Sequence, residues 1–137
     1  MYSFANPVGR LLEFRLWSPL GDEDIPKLAL ESRLHLTSRG PGSVVCCVDL
    51  TGLRVLSQEA ADELVVMLRR RNAKVERTGC LLPDENATLK LQIERLHRDA
   101  GSAARRAFAE RFELQRWLSE VLDDGERARL RAFLDDV

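Results

Sequence analysis

Residues 43–72 read SVVCCVDLTGLRVLSQEAADELVVMLRRRN, and the fold turns on this stretch. Val44 to Val48 is an unbroken, mostly β-branched apolar run, the pattern of a strand covered on both faces, and Asp49 marks its carboxyl end. Thr51-Gly52 is a turn signal, followed by a short apolar step through Leu53, Val55 and Leu56. Ser57 then stands where a helix N-cap should stand, with Glu59 and Asp62 near the positive end of the helix dipole. Ala61, Leu64, Val65 and Leu68 recur at helical spacing, and Arg69-Arg70-Arg71 falls at the negative end. The stretch therefore predicts strand, loop and helix, with the loop at the carboxyl edge of a sheet, where open α/β sheets bind ligands and partners.

Outward from this unit, residues 1–19 carry two short strands around Asn6-Pro7-Val8-Gly9. In the second, Leu12, Phe14 and Leu16 alternate with Glu13 and Arg15, which predicts a half-buried strand whose charged face is wet. Pro26 fits only the first turn of the next helix, whose apolar positions are Leu28, Leu30, Leu34 and Leu36. Arg39-Gly40-Pro41-Gly42 is a turn into the central strand; it lacks the Gly-Lys-Ser/Thr of a phosphate-cradling loop. Lys74 to Leu82 reads as another strand, with Gly79 a bulge or a close-approach site. A helix starting at Pro83-Asp84 carries Leu89, Ile93 and Leu96 and stops at Gly101. Arg106 to Ala109 is the last strand, Glu113 to Leu122 a helix with Trp117, Leu118 and Val121 inward, and Asp123 with Glu126 a capping box for a final helix using Leu130, Phe133 and Leu134.

An apolar strand ending in Asp, a short apolar step, a Ser-containing loop and a helix together resemble the core of a STAS domain, the SpoIIAA-like fold of anti-sigma-factor antagonists. The resemblance implies a single α/β domain over residues 1–137, with a mixed sheet of about five strands and helices mainly on one face. Its core would span about residues 8–122, with a C-terminal helical extension over 123–137. In that family the loop usually reads Asp-Ser-Ser/Thr-Gly, and its second hydroxyl is the phosphoacceptor of a partner switch. Here the aligned residues are Leu56, Ser57, Gln58 and Glu59, so only the first Ser matches. Gln58 cannot accept phosphate.

Composition narrows the field. With 137 residues, 45% hydrophobic and 31% charged, the chain has the profile of a globular domain able to bury a core without staples. The formal charge of −1 leaves no global field to recruit nucleic acid or anionic membrane. Three cysteines are no disulfide framework, and Cys46 and Cys47 must point to opposite faces of one strand. With no signal-peptide core and no membrane span, a cytoplasmic location is expected.

The remaining signals have plain readings. Ser57 is read as an N-cap before a regulatory hydroxyl, and the cysteines as core residues before redox centres. His35 and His97 have no second ligand at metal spacing, so neither a metal nor another cofactor is expected. Arg69, Arg70, Arg71, Lys74 and Arg77 have no interleaved aromatic residue and read as dipole compensation, not a nucleic-acid surface.

The expectation is a non-enzymatic regulatory module without the usual phosphoacceptor. It would bind a protein partner through Asp49, Thr51, Gly52, Ser57, Gln58 and Glu59. A small apolar-ligand (lipid-like) carrier is the alternative, and a small enzyme with an unrecognised site the third. If all crossover helices share one face, the apolar second face of the central strand needs a cover. A homodimer is the expected cover, the tail helix the alternative.

Overall fold

The computed structural model describes residues 1–137. Its strands are β1 (Tyr2–Val8), β2 (Leu11–Trp17), β3 (Val44–Gly52), β4 (Val75–Leu81) and β5 (Arg105–Phe108); its helices are α1 (Asp24–Arg39), α2 (Gln58–Arg71), α3 (Ala87–Ala100), α4 (Arg111–Ser119) and α5 (Asp124–Asp135). The strands form one mixed sheet in the order β1-β2-β3-β4-β5, with β1 antiparallel to β2 and every other neighbour parallel. Because the order never reverses, the sheet has no switch point at which a crevice would open. Pro7 lies in β1 at the sheet edge, where its missing N–H costs no ladder bond.

Each parallel step is made through one of α1, α2 and α3, and all three pack on the same face. There Leu12, Phe14 and Leu16 of β2 and Cys46 of β3 meet Leu28, Leu64 and Ile93. The Leu12, Phe14, Leu16 alternation thus holds. In α1 the buried stripe is Ile25, Leu28 and Ser32; of the four expected leucines Leu28 is buried and Leu36 partly so, while the other two are not. Leu30 and Leu34, 49% and 58% exposed, sit one helical turn apart on the outside. Asn86 caps α3 by accepting from Leu89 N, so Pro83 and Asp84 belong to the preceding turn. The Asp123–Glu126 capping box at α5 is present with both bonds.

The second face corrects two expectations. It is dry and covered by this chain itself: α4 and α5 lay Leu114, Leu118, Leu130, Phe133 and Leu134 over Leu11, Val45 and Cys47. The argument for a second copy as the cover therefore falls, because the tail supplies it. Gly79 explains how α4 lies so close: a Cβ there would stand 3.2 Å from carbons of Leu114 and Leu118. Glu13 and Arg15 are not wet either. Glu13 is 4% exposed and takes both Nε and an Nη of Arg129 on α5, at 2.5 and 2.8 Å. Arg15 pairs with Asp49 at 2.6 Å and lies over the Phe133 ring. Charge alternation marks the face correctly, but pairing with partners on other elements, Arg129 of α5 and Asp49 of β3, lets those charges go under a helix.

The tail is also fastened at the other end of the sheet. Glu126, buried, accepts from the backbone N–H of Arg10 and Asp123. Gly9, at φ +56°, makes the β1–β2 turn, and any side chain on it would run into Glu126.

Candidate functional site

The loop between β3 and α2 lies at the carboxyl edge of the sheet, as its sequence predicts, and side chains of neighbouring segments tie down the backbone of Arg54 and Leu56. Leu56 gives its N–H to, and takes a bond at its carbonyl from, the side-chain amide of Gln92 on α3. Arg54 N donates to the Ser18 hydroxyl, and the Arg54 carbonyl accepts from Asn86 Nδ2. Ser57 caps α2 by accepting from Ala60 N at 3.1 Å. Leu53 and Leu56 are the buried anchors of the loop, while Val55 between them is 54% exposed.

The six expected contact residues separate in space. Ser57, Gln58 and Glu59 are exposed at the start of α2, and Ser57 and Glu59 border a groove of about 340 Å³ with Ser18, Arg54, Val55 and Glu63. Gln58 donates to Asp62 one turn on. Asp49 turns the other way: it is buried, paired with Arg15, and accepts from both the N–H and the hydroxyl of Thr51. Asp49 and Thr51 thus close the end of β3. Gly52 is exposed but needed for strand contact, since a Cβ there would stand 2.8 Å from Trp17 Cβ.

Sequence reasoning missed Arg54, Val55 and Glu63. Val55 was not legible, since an extended pattern would put it on the same face as Leu53, whereas the chain buries Leu53 and Leu56 and turns Val55 out. Glu63 carries the one carboxylate oxygen buried without a hydrogen-bond partner, a need that nothing in the sequence around it reveals. Phe112 was missed too; it is 65% exposed at the start of α4, beside a second hollow at the carboxyl edge bordered by Thr51 and Pro83.

Between the sheet and α1–α3 is an internal cavity of about 70 Å³, lined by apolar groups such as Phe14, Val48, Leu50 and Leu96. Thr78, Cys80, His97 and Arg71 are its polar members. Cys80 Sγ lies 3.6 Å from His97 Nε2. Burial pushes the Cys80 thiol up to about 12 and the His97 imidazole down to about 4, so both are neutral at pH 7. This is the opposite of an activated thiolate-imidazolium pair. Cys46 is raised by burial to about 11 and Cys47 in the same direction, one on each face of β3. No group of three His, Cys, Asp or Glu side chains is placed to hold a metal ion, and no helix is long and apolar enough to cross a membrane.

The architecture matches that of a solved structure from Shewanella loihica PV-4, an uncharacterised protein of the DUF3478 family described as having a SpoIIAA-like fold. The two superpose with a TM-score of 0.66 over 85% of this chain and 93% of the other, at 18% sequence identity. The fold is SpoIIAA-like. No protein-family profile matches the sequence, and no curated protein does. In this chain the Ser57 hydroxyl is engaged in capping α2, and Gln58 follows it.

Proposed function

We propose that the chain is a non-enzymatic interaction module that docks a protein partner on the carboxyl-edge loop and the start of α2. The observation that carries this reading is a loop fixed by bonds with the side chains of Ser18, Asn86 and Gln92 and by the Ser57 cap on α2, which holds Val55 outward over a groove. A preformed backbone spends little ordering entropy on binding. Glu59, Glu63 and Asp22 give that groove an acidic side, which suits a partner presenting a cationic side chain next to an apolar one. With Gln58 in the acceptor place, binding is constitutive or set by a ligand, not by loop phosphorylation. The paired neutral Cys80 and His97 support a non-catalytic role. The test is affinity capture with wild type and with Val55→Asp, both confirmed folded by circular dichroism. The proposal expects a stoichiometric partner retained by the first and lost by the second; equal retention by both overturns it.

A second reading has its own observation, the apolar cavity under α1–α3. We infer that it receives a small apolar guest, or the end of one. Native mass spectrometry of freshly purified protein checks this: a mass increment released on denaturation supports it, and a bare chain after incubation with candidate guests removes it.

A further inference from the structure

The apolar cavity does not end blindly. Met67 and Arg71 of α2 line it, and the same two residues line a surface groove of about 660 Å³ between α1 and α2. The floor of the groove is therefore the roof of the cavity. Its apolar walls are Pro26, Ala29, Leu30 and Leu36, which accounts for one of the two outward leucines of α1.

The groove is also strongly cationic. Arg33 comes from α1, Arg70 and Arg71 from the last turn of α2, and Lys74 from the turn after it. None of the four has a carboxylate within ion-pair distance. Arg71 reaches across to donate to the Ala29 carbonyl at 2.9 Å, and Lys74 to the Gly40 carbonyl at 2.6 Å. Burial and the neighbouring Arg33 guanidinium both disfavour the charge on Arg71. The dipole at the end of α2 accounts for Arg69 to Arg71 alone, but not for Arg33 converging on them from another helix. Arg71 and Lys74, half-buried and held only by carbonyl oxygens, gain most from an anion that shares their enclosure.

We propose that the α1–α2 groove and the core cavity are two ends of one binding site for a single-chain phosphate monoester. Its head lies on Arg33, Arg70, Arg71 and Lys74, and its tail passes Met67 into the core. The inference rests on the apolar-guest reading above and adds the head group and the entrance. Four cations without a counter-charge favour a head bearing nearly two negative charges over a carboxylate with one. Met67, unbranched and flexible, is the side chain that must turn aside to admit the tail.

The test titrates the full chain with hexyl phosphate, hexanoate, hexanol and inorganic phosphate by calorimetry, and follows the Met67 methyl resonance. It is repeated with Arg33→Glu/Arg70→Glu, two exposed positions outside the core. The proposal expects one saturable site for hexyl phosphate, about tenfold tighter than hexanol and hexanoate, since one charge-assisted hydrogen bond is worth that factor, and about tenfold or more tighter than inorganic phosphate, since burying two methylenes of a tail is worth as much. It also expects a Met67 shift with hexyl phosphate, and a loss of about tenfold or more in the double variant while hexanol is unaffected. Hexanol binding as tightly as hexyl phosphate would leave the apolar guest standing and overturn the anion head. Inorganic phosphate binding equally well would overturn the passage of a tail, and hexanoate binding equally well would overturn the phosphate. No saturable binding by any probe removes both the inference and the reading it rests on.

Discussion

Replacing Arg129 by Ala tests whether a charged strand face can lie under a helix. The substitution leaves the Glu13 carboxylate, 4% exposed, without the two bonds it now accepts. Breaking a fully buried ion pair by removing one partner costs about 3–5 kcal/mol. The Arg129 side chain is 36% exposed, so water reaches the vacated side of Glu13, and the expected cost falls to roughly 2 kcal/mol. Replacing both, as Glu13→Leu with Arg129→Met, removes the carboxylate along with its need for a partner and should come within about 1 kcal/mol of wild type. Urea melts of both variants, with an unchanged denaturant slope, supply the two numbers. A loss below about 0.5 kcal/mol in Arg129→Ala, the range of ordinary surface substitutions, would mean that Glu13 is solvated and that α5 does not lie where it is described.

Ser57→Ala should cost about 1 kcal/mol in a urea melt, since it deletes the cap bond to Ala60; an unchanged midpoint removes the cap. The three thiols, all buried and raised, should react slowly with a labelling reagent at pH 8 and fully on unfolding, and fast native labelling of Cys47 would contradict the dry second face. His97 is held neutral with its pKa depressed from 6.5 to about 4, so between those values the unfolded chain binds a proton that the folded chain refuses. Stability should therefore fall as pH drops from 6.5 towards 4, by up to roughly 3 kcal/mol, and His97→Gln should flatten that slope in pH-dependent melts. Deleting residues 124–137 should expose Leu11, Val45 and Cys47 to a hydrophobic dye and lose most of the stability, because Leu130, Phe133 and Leu134 each contribute about 1.5–3 kcal/mol; a dimer that keeps its mass and its melting point after the deletion would restore the second copy as the cover.

The elements whose order and type were legible are those in which local signals agree. In β3 and α2 an apolar run, a cap and a helical stripe point the same way, and both elements start where these signals place them; β3, however, runs on through the expected Thr51-Gly52 turn, because Gly52 still pairs with Trp17 of β2. What failed has a common cause in pairing at long range. Glu13 and Arg15 look like a solvated face because their partners, Arg129 and Asp49, come from other elements. Leu30 and Leu34 look like core because leucine usually is, yet the stripe of α1 is set by Ile25, Leu28 and Ser32, whose hydroxyl is satisfied by the Leu28 carbonyl. At the candidate site the loop and its cap were readable, whereas the inward turn of Asp49 followed from strand parity together with a face wrongly thought open. Arg33 meeting Arg70 and Arg71 was invisible for the same reason, since the two helices meet only in the fold.

We propose the carboxyl-edge loop as the docking surface. Hydrogen exchange of the chain alone and in complex with its captured partner tests it most directly. Docking there adds protection confined to residues 18–22 and 53–63, the segments that border the groove with Val55. Protection that instead covers α4 and α5, with residues 53–63 exchanging as in the free chain, would contradict it.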